Sequence, residues 1–417
     1  MSYAEIVKLG AILYAYTGNK DDLAVSVTGF RNAARDHLLA SGVYSSEEHF
    51  SGRGALSSHE TCDISDYTWS LGYLLMATGD ASYADQIETA IFNAGLGAVS
   101  DDFKQLQYFS CPNQLIADEH SSHSVMLVGN PRMSYRPRHD VECCSGNVNR
   151  MFPNYAARTW MTSSDGGLAA VLYGPSQVTH DGVTIVEQTN YPYENTIRFT
   201  VQTATPKRLS LKLRIPGWCE QASLKINGEP FTGDMKPGMF ATVDRDFHDG
   251  DQLELTLPMT VRLEHWPDNG VSVKRGPLVY ALKVDADVQA DPTRGTTLPQ
   301  FPSLSMKPTS AWNYALNIAD AELSKATVDE RPAGQRPWTN PPVTIRVPAR
   351  RVADWTLVTK PVPGQPADKQ VMMTLTPPLP SPDGLKARLS EQVELISLVP
   401  MGSAKLRLTV FPSTKLP

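Results

Sequence analysis

The hydrophobic period of this chain changes once, near residue 165, and that change constrains its fold more than any other feature. Only four of the 32 prolines (Pro112, Pro131, Pro137 and Pro153) precede it. Before it, apolar residues recur at helical spacing. Ile6, Leu9, Leu13 and Tyr16 predict a helix over 3–17 that stops at Gly18-Asn19. Leu23, Val27, Phe30, Ala34 and Leu38 predict another over 21–40. Ile64, Tyr67, Leu71 and Leu74 mark 63–78, and Tyr83, Ile87, Ile91 and Ala94 mark 82–96. Val148, Met151, Tyr155 and Trp160 mark 147–162, with Pro153 inside as a kink or a later start. After residue 165 the period is two, as in Leu209-Ser210-Leu211-Lys212-Leu213 and in Leu253, Leu255 and Leu257. Asn227-Gly228 and Asp249-Gly250-Asp251 supply turns.

The expected class is therefore α + β and multidomain. Residues 1–165 form a helical domain and 166–285 an antiparallel β-sandwich. A C-terminal β-rich region, 286–417, either extends that sandwich or forms a second module. Two long irregular stretches, 41–60 and 99–146, interrupt the helices. Loops of that length inside a compact domain usually carry function.

With 417 residues, 41% hydrophobic and 20% charged, the composition is that of an ordinary globular protein. The net charge of −6 argues against nucleic acid or an anionic membrane as the main partner. There is no run of eighteen apolar residues, so no membrane-spanning helix is expected. The first residues carry no basic, cleavable leader pattern. Five cysteines, two of them adjacent, do not read as a disulfide framework. A reducing, cytoplasmic setting with free or metal-bound thiols fits better.

Three of the five cysteines fall in two short clusters, His59-Glu60-Thr61-Cys62-Asp63 and Glu142-Cys143-Cys144-Ser145-Gly146-Asn147. Glu60, Cys62, Cys143 and Cys144 offer three sulfurs and a carboxylate, a candidate set for one divalent metal such as zinc. On a regular helix, Glu60 and Cys62 would point roughly 200° apart. An extended segment places them on one side. Cys143 and Cys144 likewise need a turn to converge. Spacing alone does not make a site: there is no CxxC, isolated ExC recurs by chance, and cysteine is often a small buried hydrophobe. A thiol just ahead of a helix starting near Asn147 should nonetheless have a lowered pKa.

The loop Ser45-Ser46-Glu47-Glu48-His49-Phe50 places two carboxylates beside an aromatic residue. A carboxyl against such a wall can stay protonated at neutral pH, although adjacent glutamates are more often a solvated pair. His120, His123 and His139 lie in the second long loop, where they either bind hydroxyls or cap turns. Cys111 and Cys219 read as structural.

At these residues the chain resembles the family 127 glycoside hydrolases, whose founding activity is β-L-arabinofuranosidase. The resemblance runs through Gly42-Val43-Tyr44-Ser45-Ser46-Glu47-Glu48-His49-Phe50, Glu60-Thr61-Cys62 and Cys143-Cys144 with Asn147. It continues in Leu213-Arg214-Ile215-Pro216-Gly217-Trp218, Arg275-Gly276-Pro277-Leu278-Val279-Tyr280 and Trp312-Asn313-Tyr314-Ala315-Leu316. ExC followed by CC is the specific part; each β motif alone is weak.

The resemblance implies zinc on Glu60, Cys62, Cys143 and Cys144, with Cys143 as nucleophile and Glu48, rather than Glu47, as acid/base. It implies a retaining hydrolase of β-L-arabinofuranosides or related plant-wall sugars, with an oligosaccharide or glycoside as partner. It also implies an (α/α)6 toroid followed by β-sandwich modules. Such a toroid needs twelve helices, and about five are read here. The chain is therefore expected to begin midway through the barrel, to expose broad apolar helix faces and to be poorly active alone. Two other readings compete. One is a non-catalytic, zinc-stabilised carbohydrate- or partner-binding protein. The other is a thiol-redox protein, which the absence of CxxC and of a thioredoxin-like βαβ pattern disfavours.

Overall fold

The computed structural model describes residues 2–124, 128–291 and 299–415. Its architecture is α + β, with helices first and sheets after them; these are antiparallel as expected except where strand 168–170 runs parallel to 207–215, so the smaller sheet of the sandwich is mixed. Three helices open the chain: α1 (Ser2–Ile6), α2 (Leu9–Thr17) and α3 (Lys20–His37). The stretch predicted as one helix over 3–17 is thus broken at residues 7 and 8. Gly18 closes α2 in the left-handed conformation at φ 67°. Asn19 then caps α3, its side chain accepting from the Asp21 backbone N–H. The two helices approach so closely that a Cβ on Gly10 would collide with the Asp22 carbonyl.

Helix α4 (Thr61–Thr78) is the hub of the helical part. Of its 18 residues, 13 are buried, polar ones included. Ser70 Oγ donates to the Ala4 carbonyl of α1 at 2.5 Å, and Asp66 forms an ion pair with Arg150 of α6 (Cys143–Ala156). Between them, α5 (Ser82–Thr89) runs into a π-helical turn at Ala90–Gly95. That turn delivers Asn93 to a distant strand, where its Nδ2 donates to Pro277 O and its Oδ1 accepts from Val279 N at 2.8 Å. Helix α6 starts four residues earlier than the predicted 147 and ends at Ala156, with Pro153 in its last turn. Trp160 belongs to a strand, 160–162, rather than to the helix.

A sandwich follows. One sheet has six strands in the order 229–230, 223–226, 252–256, 196–203, 183–189 and 176–180. The other has four, in the order 239–247, 207–215, 168–170 and 160–162. Alternating residues such as Ile185, Ile197, Phe199, Leu211 and Leu213 fill one core. Trp160 meets Phe199 edge-on across the two sheets. The sandwich is locked to the helices by Arg214, which is fully buried and pairs with Asp85 and, at 2.5 Å, with Glu88. Tyr191 also donates to Glu88 at 2.5 Å.

A nine-stranded sheet closes the molecule. In it, strands 261–266, 270–275 and 278–283 pair onward to 389–400 and 343–352. Strand 261–266 pairs with 270–275, which pairs with 278–283, and the last two also pair with strands of the C-terminal region. The loop 99–146 is stitched to the same region. Gln114 and Arg407 exchange backbone hydrogen bonds at 2.9 and 2.7 Å, as do Ala117 and Met306 at 3.0 and 2.8 Å. The long loop is therefore held from behind by β-structure distant in sequence.

Candidate active site

Two helix N-termini meet under this loop. Glu60 is the N-cap residue of α4, in extended conformation, and its side chain makes no capping hydrogen bond. Cys62 is the second residue of that helix. The dipeptide His59–Glu60 pairs antiparallel with Phe109–Ser110. Thr61 N–H donates to Tyr108 O at 2.9 Å and Thr61 Oγ1 to Gln107 O at 2.6 Å. Glu60 and Tyr108 are thus fixed side by side. Cys143 and Cys144 are the first two residues of α6. They converge from within a helical first turn, where the sequence reading asked for a non-helical one.

Glu60, Cys62, Cys143 and Cys144 each contribute an atom to a cluster whose members all lie within 4.8 Å of one another. Cys62 Sγ and Cys144 Sγ are 3.2 Å apart, Cys143 Sγ is 3.4 Å from Glu60 Oε1, and Cys144 Sγ is 3.5 Å from the same oxygen. Glu60, Cys62 and Cys144 are buried, while Cys143 is half-exposed. The second oxygen, Glu60 Oε2, is buried without a hydrogen-bond partner. An orphaned carboxylate oxygen among three thiols is costly unless a cation completes it. Sulfurs on tetrahedral zinc at about 2.3 Å would stand roughly 3.8 Å apart, so Cys62 and Cys144, at 3.2 Å, would have to spread slightly to share the ion. The donor set fits a borderline-soft divalent ion.

The electrostatics separate the four groups. Cys143 is pushed down to about 5, first by its hydrogen bond with Cys144, with further bonds to Cys62, Glu60 and Tyr108 outweighing burial. Burial raises Glu60 to about 7 and drives Cys144 upward. Two helix N-termini add their positive ends. The half-exposed sulfur is therefore the one that carries negative charge most readily.

Of the two glutamates ahead of this centre, Glu47 is buried, and its Oε1 accepts from Ser58 N at 2.9 Å and Ser51 Oγ at 3.4 Å, so it holds its own loop. Glu48 is exposed, at φ 70°, a conformation that costs a non-glycine residue energy. Its Oε1 accepts from Tyr108 OH at 3.2 Å. Tyr108 OH lies 3.9 Å from Cys143 Sγ. Burial, then the charge of Glu60, raises Tyr108 and keeps it a donor. Tyr108 is the residue that sequence reasoning missed: nothing in its neighbourhood sets it apart from other loop tyrosines. Arg132 lies over its ring, 4.3 Å from the centroid.

The three histidines hold loop carbonyls: His120 at Gly129 O, His123 at Leu56 O and His139 at Leu106 O. Cys111 is buried beside Asn113 O, and burial raises it to about 12. Among the described residues no helix is long and apolar enough to cross a membrane.

Comparison with known proteins gives this arrangement a class. The profile of the β-L-arabinofuranosidase GH127 catalytic domain matches residues 3–157, and that of the GH127 middle domain matches 167–259. The chain belongs to the GH127 family. It is 28% identical over 246 residues to a non-reducing end β-L-arabinofuranosidase of Bifidobacterium longum, a match that takes in 54% of this chain and 35% of that protein. A GH127 β-L-arabinofuranosidase from Geobacillus stearothermophilus T6 shares the fold, with TM-score 0.68 and 21% identity, over 98% of this chain and 59% of that one. A GH127 β-arabinofuranosidase structure aligns with TM-score 0.69 and 18% identity over the same shares. The chain thus spans about three-fifths of the length of these solved structures.

Proposed function

We propose that the protein is a retaining glycoside hydrolase for β-L-arabinofuranosides or related plant-wall sugars. The observation that carries this reading is the convergence of Glu60, Cys62, Cys143 and Cys144, with Tyr108 linking Cys143 to Glu48. In this reading the four residues hold a zinc ion, which when bound keeps its thiol ligands deprotonated. Residues 1–165 supply the catalytic helices, as the C-terminal part of an (α/α)6 toroid. The catalytic-domain profile matched over residues 3–157 supports placing the catalytic helices there.

The chemistry then follows from the side chains. Cys143 Sγ attacks the anomeric carbon, forming a C–S bond as the glycosidic C–O bond breaks. Glu48 gives its proton to the departing oxygen. Tyr108 OH, bonded to Glu48, keeps that carboxyl beside the sulfur. Glu48, now ionised, takes a proton from water; the oxygen attacks the same carbon and the C–S bond breaks. Two displacements on one carbon return the starting configuration. A purely structural metal centre would be closed; the half-exposed Cys143 favours the catalytic reading over the zinc-stabilised binding protein.

The test is hydrolysis of an aryl β-L-arabinofuranoside together with metal analysis of the purified protein. About one zinc per chain is expected, with low but measurable turnover that Cys143→Ser abolishes and Glu48→Gln lowers about 10²–10⁴-fold. Turnover that both variants retain in full would overturn the assignment. Sugar binding without cleavage by Cys143→Ala would count against the non-catalytic reading.

A further inference from the structure

A cleft of about 420 Å³ opens where the turn at 100–104, the segment 335–339 and Lys405 meet. Phe103 stands on one side of it, 56% exposed and at φ 58°. A bulky side chain in the left-handed region is strained. Burial does not offset that strain, since over half of the ring remains in solvent. Its edge rests on Phe152 of α6, with centroids 5.4 Å apart. Trp338 lines the cleft as well. Its indole is clamped by Phe92 at 5.7 Å and Tyr193 at 5.1 Å, so it is ordered before any ligand arrives.

The polar groups here are fixed too. Lys405 Nζ donates to Leu96 O and Gly402 O at 3.0 and 3.2 Å and pairs with Asp101 at 3.2 Å. Asp102 accepts from Ser100 Oγ at 2.9 Å and Lys104 N at 3.2 Å. Two oriented carboxylates therefore lie with two held aromatic rings along one cleft. Such lining offers a stacking surface for C–H faces and acceptors for neighbouring hydroxyls, the chemistry of a neutral saccharide. The charged lining balances, Asp101 and Asp102 against Arg336 and Lys405, so the cleft favours neither an anion nor a cation and suits an uncharged ligand.

The cleft is separate from the sulfur centre yet shares a wall with it. Val99 lines the cleft and belongs to the same apolar cluster as Cys62 and Cys144, against which Phe152 also packs. We infer that this cleft binds a unit of a neutral oligosaccharide outside the reacting centre. The ligand class rests in part on the function proposed above.

The test titrates a linear arabino-tetrasaccharide into the Cys143→Ala protein by calorimetry. Saturable binding is expected, weakened about tenfold (roughly 1.4 kcal/mol) by Trp338→Ala and by Phe103→Gly. Phe103→Gly removes the strained φ, so its melting temperature should stay equal or rise while its affinity falls; lost binding then cannot be lost folding. Absence of binding, or unchanged binding by both variants, would overturn the inference. Hydrolysis of a small aryl arabinofuranoside by Trp338→Ala should match the parent, since that substrate reaches only the sulfur centre. Tetrasaccharide binding that depends on Trp338, in a protein without any hydrolysis, would remove the hydrolase reading and leave the cleft standing.

Discussion

Helix α4 and the α2–α3 hairpin are both helical, yet their surroundings are opposite. Thirteen residues of α4 are buried, including Asp63, Ser65 and Asp66. The hairpin buries Gly10 and Ala11 on one helix and Ser26, Phe30 and Ala33 on the other. Around it Ile6, Leu9, Leu13, Tyr16 and Val25 stand 54%, 51%, 52%, 88% and 71% exposed. One helix is encased by its neighbours and carries two of the four metal-ligand candidates, Glu60 and Cys62, at its start. The other two present an apolar surface to solvent larger than scattered single residues would make. The contrast teaches that helical periodicity reports which face is apolar, not what covers it. The buried ligands Glu60 and Cys62 sit where cover is complete, while Cys143 and Glu48 stay open to solvent.

Substitutions should read this contrast directly. The largest loss of stability is expected from Leu71→Ala in α4, fully buried, at about 2–5 kcal/mol in urea unfolding. A loss below 1 kcal/mol would mean that α4 is not the encased element described.

Next comes a pH effect from the loop that covers the start of α4. Burial lowers His139 from 6.5 to about 4. Below pH 6.5 the unfolded chain takes up a proton that the folded chain refuses until about pH 4. Stability from this group is therefore complete above 6.5 and falls as pH drops through that window, by at most about 3 kcal/mol. His139→Gln should flatten the decline in melting temperature between pH 7 and 4.5 relative to the parent; parallel curves would contradict it.

A smaller effect is expected at the junction of loop and sulfur. Tyr108→Phe removes the hydrogen bond to Glu48 and should lower kcat/KM about tenfold, with zinc content unchanged. The smallest is expected on the open face. Leu9→Gln should change stability by no more than about 0.5 kcal/mol and should improve solubility. A loss comparable to that of Leu71→Ala would show that something covers α2 in solution.

Much of this was legible in the sequence. The change of period near residue 165 separated helices from sheets, because each element has one buried face and its spacing records it. Glu60, Cys62, Cys143 and Cys144 were named through the family resemblance, since their spacing alone did not make a site; the structure brings the four together. What stayed hidden depends on partners far along the chain. Tyr108 is set beside Glu60 by a two-residue ladder that no local pattern announces. Strand 278–283 pairs with 399–400 and 407–408, over a hundred residues on, and nothing local names those partners. The π-helical turn at Ala90–Gly95 exists so that Asn93 can reach Pro277 and Val279, a requirement written in another part of the molecule. Glu47 and Glu48 were separable only through their surroundings, one tied to Ser58 and the other to Tyr108.

The central claim is that Cys143 is the atom that bonds to sugar, and peptide mass mapping after exposure to an arabinofuranose-configured epoxide tests it most directly. Opening of the epoxide should leave one sugar on the peptide containing Cys143, absent in Cys143→Ser and reduced in Glu48→Gln. A sugar found on Glu48, or none on any peptide of a zinc-loaded protein, would contradict the account.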